Sequence, residues 1–270
     1  WLTAQGMPWT RSVRKADGLL VNAWQTLLRT VLWAQALGIP VVHRVDNAAA
    51  AYGRTDGADR RLRAINRRAT ASIFQSAYAI RETMQRGVVD TLGPVIPNPV
   101  DTDVFRPDGP KTLLPDWHGY RVSAVSWSDN TYKGGGRLAE LAAFNPAIQV
   151  VLVGRWPAWS AFQGKNVVRL GVLDAYTVAM VHRAVDALVT FSEHEAGPNH
   201  VLEAMACGRP VIYRDSGAIR EYVGPGGGTS LVDVLAQREA LGAAALSRIR
   251  DQHTAEVIFP RYLDVLSGVA

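Results

Sequence analysis

Between Gly18 and Tyr213 short apolar runs alternate with stretches carrying apolar residues at helical spacing, a pattern that fits a parallel α/β sheet. The runs Gly18–Ala23, Pro40–Val45, Ala71–Gln75 and Pro94–Pro97 come first. Arg121–Ser126, Gln149–Gly154, Val167–Gly171, Ala187–Phe191 and Pro210–Tyr213 follow. After the first run, Trp24, Leu27, Leu28, Val31 and Ala34 recur at helical spacing until Gly38 and Pro40 stop them. Strand, helix and strand in about thirty residues make a βαβ unit, whose strands are parallel. Later helices are expected over about 78–87, 137–144, 176–184, 218–223, 236–250 and 255–266, with no fixed-spacing repeat or low-complexity segment.

At 270 residues the chain accommodates two such domains. A segment rich in turn formers, 104–119, reads as a linker between a first domain over 1–103 and a second over 120–250. The longest apolar runs are too short or too interrupted to cross a bilayer. No signal-peptide pattern is present, and Trp1, which is not a start methionine, leaves upstream residues open. A single cysteine, Cys207, excludes an internal disulfide and points to a reducing, cytoplasmic setting. No Cys/His spacing makes a structural metal site. Charge is unevenly placed: residues 1–110 hold 14 Lys/Arg against 9 Asp/Glu, whereas 111–270 hold 15 of each. The excess positive charge marks a basic surface on the first part.

The most informative stretch is Phe191-Ser-Glu-His-Glu-Ala-Gly-Pro-Asn-His-Val-Leu-Glu-Ala-Met-Ala-Cys-Gly-Arg-Pro210. It reads as a strand end, a Gly-Pro turn and a helix closed by Gly208, with Pro198 at the first helical position. Amides at Gly197, Asn199 and His200 at that helix start favour an anion. Glu203 lies about 7 Å further along the axis and, set among Val201, Leu202 and Met205, has to face a polar group or solvent. A strand-turn-helix with an acidic first turn needs no ligand at all. Lys133 in the polar loop Trp127–Gly136, the helix start and Glu195 converge on one sheet edge, however. Together they suit a diphosphate with hydroxylated groups on either side. A second feature is six arginines in fifteen residues: Arg54, Arg60, Arg61, Arg63, Arg67 and Arg68. Arg60, Arg63 and Arg67 fall on one helix face, which is either a solvated surface or a contact for an anionic acceptor. Without interleaved aromatics the cluster does not favour nucleic acid.

Glu195-x7-Glu203 in this setting resembles the signature of the retaining GT-B glycosyltransferases, family 4 (glycosyl transferases group 1). Ile96-Pro-Asn-Pro-Val-Asp-Thr-Asp-Val-Phe-Arg-Pro107 is similar to their domain-joining motif. The Lys133-Gly134 loop, Asp215–Val223 and a C-terminal helix within 251–270 that returns to the first domain also fit. The resemblance implies an α/β, GT-B fold of two Rossmann-like parallel-sheet domains. It implies transfer of a hexosyl or N-acetylhexosaminyl group from a UDP-, GDP- or ADP-sugar with retention, without metal or other cofactor. On this basis Glu203 would hold the ribose and Glu195 the sugar, while Lys133 neutralises the leaving diphosphate. Gly197, Asn199 and His200 would bind phosphate or sugar oxygens alongside Gly134. The backbone of Gly171, Val172 and Leu173 would face the base.

Three departures accompany the resemblance. Ser128 stands where the family has an arginine five residues before the lysine. Asp46 stands where a histidine is common, and serves either as a hydroxyl ligand or as a loop cap. The first domain is shortened, so Gly18–Ala23 is expected as an exposed edge. Upstream residues, a compact variant, a homodimer or another partner would each account for that edge. The competing functional readings are a nucleotide-sugar-binding module that has lost catalysis and a GT-B enzyme of another reaction, such as an epimerase. The expected location is cytoplasmic, with peripheral attachment to a membrane as a variant.

Overall fold

The computed structural model describes residues 10, 12–90, 92–156 and 162–269. The chain divides into two compact units, 1–98 with 255–270 and 99–254.

In the first unit, β1 (Leu19–Asn22), β2 (Val41–Val45) and β3 (Ala71–Phe74) form a parallel sheet in that order. The apolar run at Pro94–Pro97 reaches it only as an isolated parallel bridge from Val95 to Phe74. A strand's side chains alternate between faces, so Val41 and Val42 serve different cores. Val41 packs with Val21 and with Val31 and Ala34 of α1 (Leu28–Ala36) and Ile65 of α2 (Ala58–Asn66). Val42 packs with Ile73, Ile96, Ile258 and Tyr262. α3 (Ala77–Gln85) follows β3, with Ser76 Oγ accepting from Ala79 N at 3.0 Å as its N-cap. Among the described residues β1 has one strand neighbour, β2.

In the second unit the strands are β4 (Arg121–Ser126), β5 (Gln149–Gly154), β6 (Val167–Gly171), β7 (Ala187–Thr190), β8 (Val211–Tyr213) and β9 (Gly227–Gly228). All pair in parallel, in the order β6-β5-β4-β7-β8-β9. Every residue of β5 and β7 is buried, which explains why they read as unbroken apolar runs. The helices are α4 (Gly135–Phe144), α5 (Ala175–Ala184), α6 (Asn199–Ala206), α7 (Ile219–Val223), α8 (Leu231–Ala236) and α9 (Arg238–Gln252). From β4 the chain winds to β5 and β6 on one side, then to β7, β8 and β9 on the other. The order reverses between β4 and β7, and in such sheets the ligand crevice lies beyond the carboxyl ends of those strands.

Several expected boundaries move. Residues 104–119, expected as a linker, belong to the second unit because the buried Arg183 gathers them. Its Nε donates to Pro110 O at 2.8 Å and its Nη1 to Arg106 O at 3.2 Å. Thr112 N also donates to Met180 O at 3.2 Å. The first helix starts at Leu28 rather than Trp24, since Leu27 is extended at ψ 128. The helix expected over 236–250 is α9, shifted by two residues, and α8 precedes it as an unexpected short helix ending before Gln237. The last helix, α10 (Ala255–Ser267), is part of the first unit, where Arg261 Nη2 donates to Val95 O at 2.6 Å.

Candidate functional site

The loops after β4 and β7 flank the switch point of the second sheet. After β4, Ser126 Oγ donates to Ser128 O at 2.7 Å and Ser128 Oγ accepts from Asn130 N at 3.2 Å. A 3-10 turn, Thr131–Lys133, follows, capped by Asn130 Oδ1 accepting from Tyr132 N at 3.0 Å. Gly134 then takes φ +75, and a Cβ there would stand 2.5 Å from Phe191 O. Only glycine fits this approach of one loop to the other. Glu193 N donates to Tyr132 O at 2.7 Å, stitching the two loops by their backbones.

These contacts bring Lys133 Nζ onto Glu195 Oε1 as an ion pair across 62 positions of sequence. The side chains are 23% and 11% exposed, so the pair is shielded yet reachable. Pro198 is the N-cap of α6 rather than its first helical residue. At the other end Gly208, at φ +71, donates to Met205 O at 2.9 Å while Arg209 N donates to Ala204 O at 3.0 Å, a Schellman closure.

His200, in the first turn of α6, has Nε2 3.0 Å from Thr190 Oγ1. Burial lowers its pKa from 6.5 to about 4, Glu195 opposes and Lys133 reinforces, so the imidazole is neutral at pH 7. Glu203 is half-buried on the same helix, and burial raises its carboxyl from 4.5 to about 7. Among the described residues no cation pairs with it. Gly171 ends β6, two strands from β4, and Val172, 55% exposed, and Leu173 follow it. Lys133, Gly134, Ser128, Glu195, Gly197, Asn199, His200 and Glu203 therefore all stand on the two loops and the helix at the switch point.

Asp46 and the arginines belong to the first unit. Arg44 Nη1 donates to Asp46 Oδ1 at 2.6 Å and to Asn22 Oδ1 at 2.7 Å. Its Nε donates to Tyr262 Oη at 3.0 Å and its Nη2 to Asn98 Oδ1 at 2.5 Å. Gln75 Nε2 also donates to Asp46 Oδ1. Burial raises the Asp46 pKa against the opposing pull of Arg44 and Gln75. His43 faces inward, its Nε2 3.1 Å from Ala23 O, and burial lowers its pKa to about 4.

Arg63 and Arg67 meet at one carboxylate, that of Asp90. Arg67 is the C-cap of α2, beyond its last helical residue. It lies 2.9 Å from Asp90, and Arg63 lies 3.9 Å from the same carboxylate. Arg54 pairs with Asp56. The guanidinium carbons of Arg54 and Arg61 lie 4.4 and 5.2 Å from the Trp24 ring centre, an aromatic contact invisible at 30 positions or more of separation. Arg60 is exposed. Among the described residues no three or more His, Cys, Asp or Glu side chains are grouped for a metal ion, and no helix is long and apolar enough to cross a membrane.

Sequence reasoning missed Thr190, Tyr132, Glu193, Arg214 and Ser216. Their contacts join separate loops, and only the Asp215-Ser-Gly217 turn after β8 offered a local signal.

The family described as glycosyl transferases group 1 matches residues 137–251. Among curated proteins none matches the chain. Sucrose-phosphate synthase from Thermosynechococcus elongatus superposes with a TM-score of 0.76 at 18% identity, over 94% of this chain and 73% of that one. HepE from Anabaena, solved in complex with UDP-glucose, gives 0.74 at 19%, over 95% and 80%. A glycosyltransferase from Rickettsia africae gives 0.71 at 12%, over 95% and 78%. At these identities the shared property is the fold, an α/β arrangement of two parallel sheets of the GT-B type with a small first unit.

Proposed function

We propose that the protein is a retaining GT-B glycosyltransferase of group 1 that moves a hexosyl or N-acetylhexosaminyl group from a UDP-sugar to a hydroxyl acceptor. The observation that carries this reading is the Lys133–Glu195 pair at the switch point of the second sheet, with Glu203 farther along the helix that starts there. The family match over 137–251 covers that helix, and the HepE structure was solved with UDP-glucose.

Each group has a task suited to its surroundings. The diphosphate competes with Glu195 for the Lys133 ammonium, which then offsets charge as the bond to the anomeric carbon lengthens. Glu195, released from Lys133, turns to the sugar hydroxyls. Amides of Gly197, Asn199 and His200 at the start of α6 take phosphate or sugar oxygens, with the helix dipole behind them. Gly134 lets the backbone come close, and Ser128 offers a neutral hydroxyl where an arginine is usual. Glu203 accepts the two ribose hydroxyls, and Gly171, Val172 and Leu173 form the wall beside the base. In the first unit Asp46, held by Arg44 and Gln75 through Oδ1, has Oδ2 for a hydroxyl. The reaction needs no cofactor in this reading, and the protein works in the cytoplasm.

Calorimetric titration with UDP, GDP and ADP tests the donor site. UDP is expected to bind most tightly, and Lys133→Ala is expected to weaken it about tenfold or more, as for loss of a charge-assisted contact. Unchanged affinity in that variant would remove Lys133 from the site. Product analysis with UDP-glucose and UDP-N-acetylglucosamine then identifies the sugar and its anomeric configuration.

A further inference from the structure

The loop carrying Glu195 is held from two sides. On one side stand the Tyr132 O to Glu193 N bond and an edge-on contact between the Tyr132 and His194 rings, 5.7 Å between centres. On the other stands the segment after β8. Ser216 Oγ accepts from His194 N at 3.3 Å, and Ala218 N donates to Glu195 O at 2.7 Å. Gly217 passes so close that a Cβ would stand 2.5 Å from Glu195 O. Between these supports His194 takes φ +61, a left-handed conformation that a non-glycine residue keeps only when its surroundings impose it. The charged side-chain contact in this clamp joins Arg214 Nη1 to Glu193 Oε1, with side chains 38% and 29% exposed. Arg214 is itself fixed, its backbone N donating to Thr190 O at 3.1 Å where β7 ends.

We propose that Arg214 is a positioning residue, which through Glu193 holds the 193–195 loop in the geometry that places the Glu195 carboxylate at the switch point beside Lys133. The kinetic consequence rests on the glycosyl-transfer reading; the structural consequence does not. Without the guanidinium, Glu193 loses its counter-ion two residues from Glu195, and His194 relaxes out of its left-handed conformation.

The test uses Arg214→Ala, Arg214→Lys, Glu193→Gln and the swap Glu193→Arg with Arg214→Glu. Turnover is expected to fall about tenfold or more in Arg214→Ala and Glu193→Gln, because small misplacement of a reacting group has large kinetic effects. UDP affinity and donor KM are expected to stay within about threefold, since the donor contacts remain. Arg214→Lys keeps the charge without the fork and is expected in between. The swap is expected to recover turnover, and the two single losses not to add. Amide hydrogen exchange at His194 and Glu195, measured without nucleotide, is expected to speed up in both single variants and slow again in the swap. Unchanged exchange, or turnover losses that add, would overturn the assignment. Exchange that responds as expected in a protein transferring no sugar would support the clamp and overturn the glycosyl-transfer reading.

Discussion

Glu203 is a carboxylate on an otherwise apolar stretch of helix, and its raised pKa makes two pH predictions. The folded value, about 7, exceeds the usual 4.5, so between these pH values the native state binds the extra proton. Stability of the ligand-free protein therefore falls as pH rises through that window. Glu203→Gln removes the effect and is expected to be more stable than the parent at pH 8 by about 1 kcal/mol, a figure discounted for partial exposure. Melting curves at pH 5 and pH 8 check this. Nucleotide affinity should run the other way, rising from pH 6 to 8 in the parent and staying flat in Glu203→Gln, because two ribose hydroxyls require the ionised acceptor. Identical pH profiles would remove Glu203 from the ribose. At Glu195, replacement by Ala is expected to abolish transfer while UDP affinity changes less than about threefold; normal turnover would refute its role. Gly134→Ala forces a side chain against Phe191 O from a left-handed backbone, and is expected to lower stability by about 1–3 kcal/mol and loosen the Lys133–Glu195 pair.

At the scale of elements, the second sheet was legible because its central strands are buried on both faces and appear as plain apolar runs. Arg121–Ser126 and Gln149–Gly154 coincide with β4 and β5, and Val167–Gly171 with the partly exposed edge strand β6. The Gly208 closure of α6 was legible from one glycine. Elements held by distant partners were less so. Gln237 divides α8 from α9 without a proline or glycine, and Ser230 Oγ caps α8 by accepting from Asp233 N at 3.3 Å. Residues 104–119 carry the composition of a linker, yet the buried guanidinium of Arg183, the Thr112 N to Met180 O bond and the Trp117 Nε1 to Ala147 O bond tie them to the second unit. The residues gathered at the switch point were named individually from the sequence, but the Glu193–Arg214 and His200–Thr190 contacts depend on which loops the sheet order makes neighbours. For α10, Ile258 is fully buried against Val42, Ile73 and Ile96, so Ile258→Ala is expected to cost the first unit about 2–5 kcal/mol. Denaturation followed by exchange within the first sheet checks that value.

Over the whole molecule, the first unit carries 14 Lys/Arg against 8 Asp/Glu, a net +6, and the second carries −1. That asymmetry suits a negatively charged partner for the first unit, yet its most concentrated arginines are partly neutralised by Asp90 and Asp56. Solvent screens exposed pairs of this kind, and Arg63→Ala and Arg67→Ala are expected to change acceptor KM less than about twofold. A steep rise of acceptor KM with salt, exceeding that of donor KM, would instead assign this surface to an anionic acceptor.

Because α10 completes the first unit, the two units do not become available in the order in which they are written. A ribosome delivers the sheet face of Val42, Ile73 and Ile96 long before Ile258 and Tyr262, which cover it. At roughly 5–20 residues per second the intervening chain takes on the order of ten to thirty seconds to make. Through that interval the second unit, whose segment 99–254 is continuous, can close while the first still shows an apolar face. The unit begun first is finished last, and a nascent chain stalled before residue 255 presents that face to whatever chaperone or neighbouring chain is at hand.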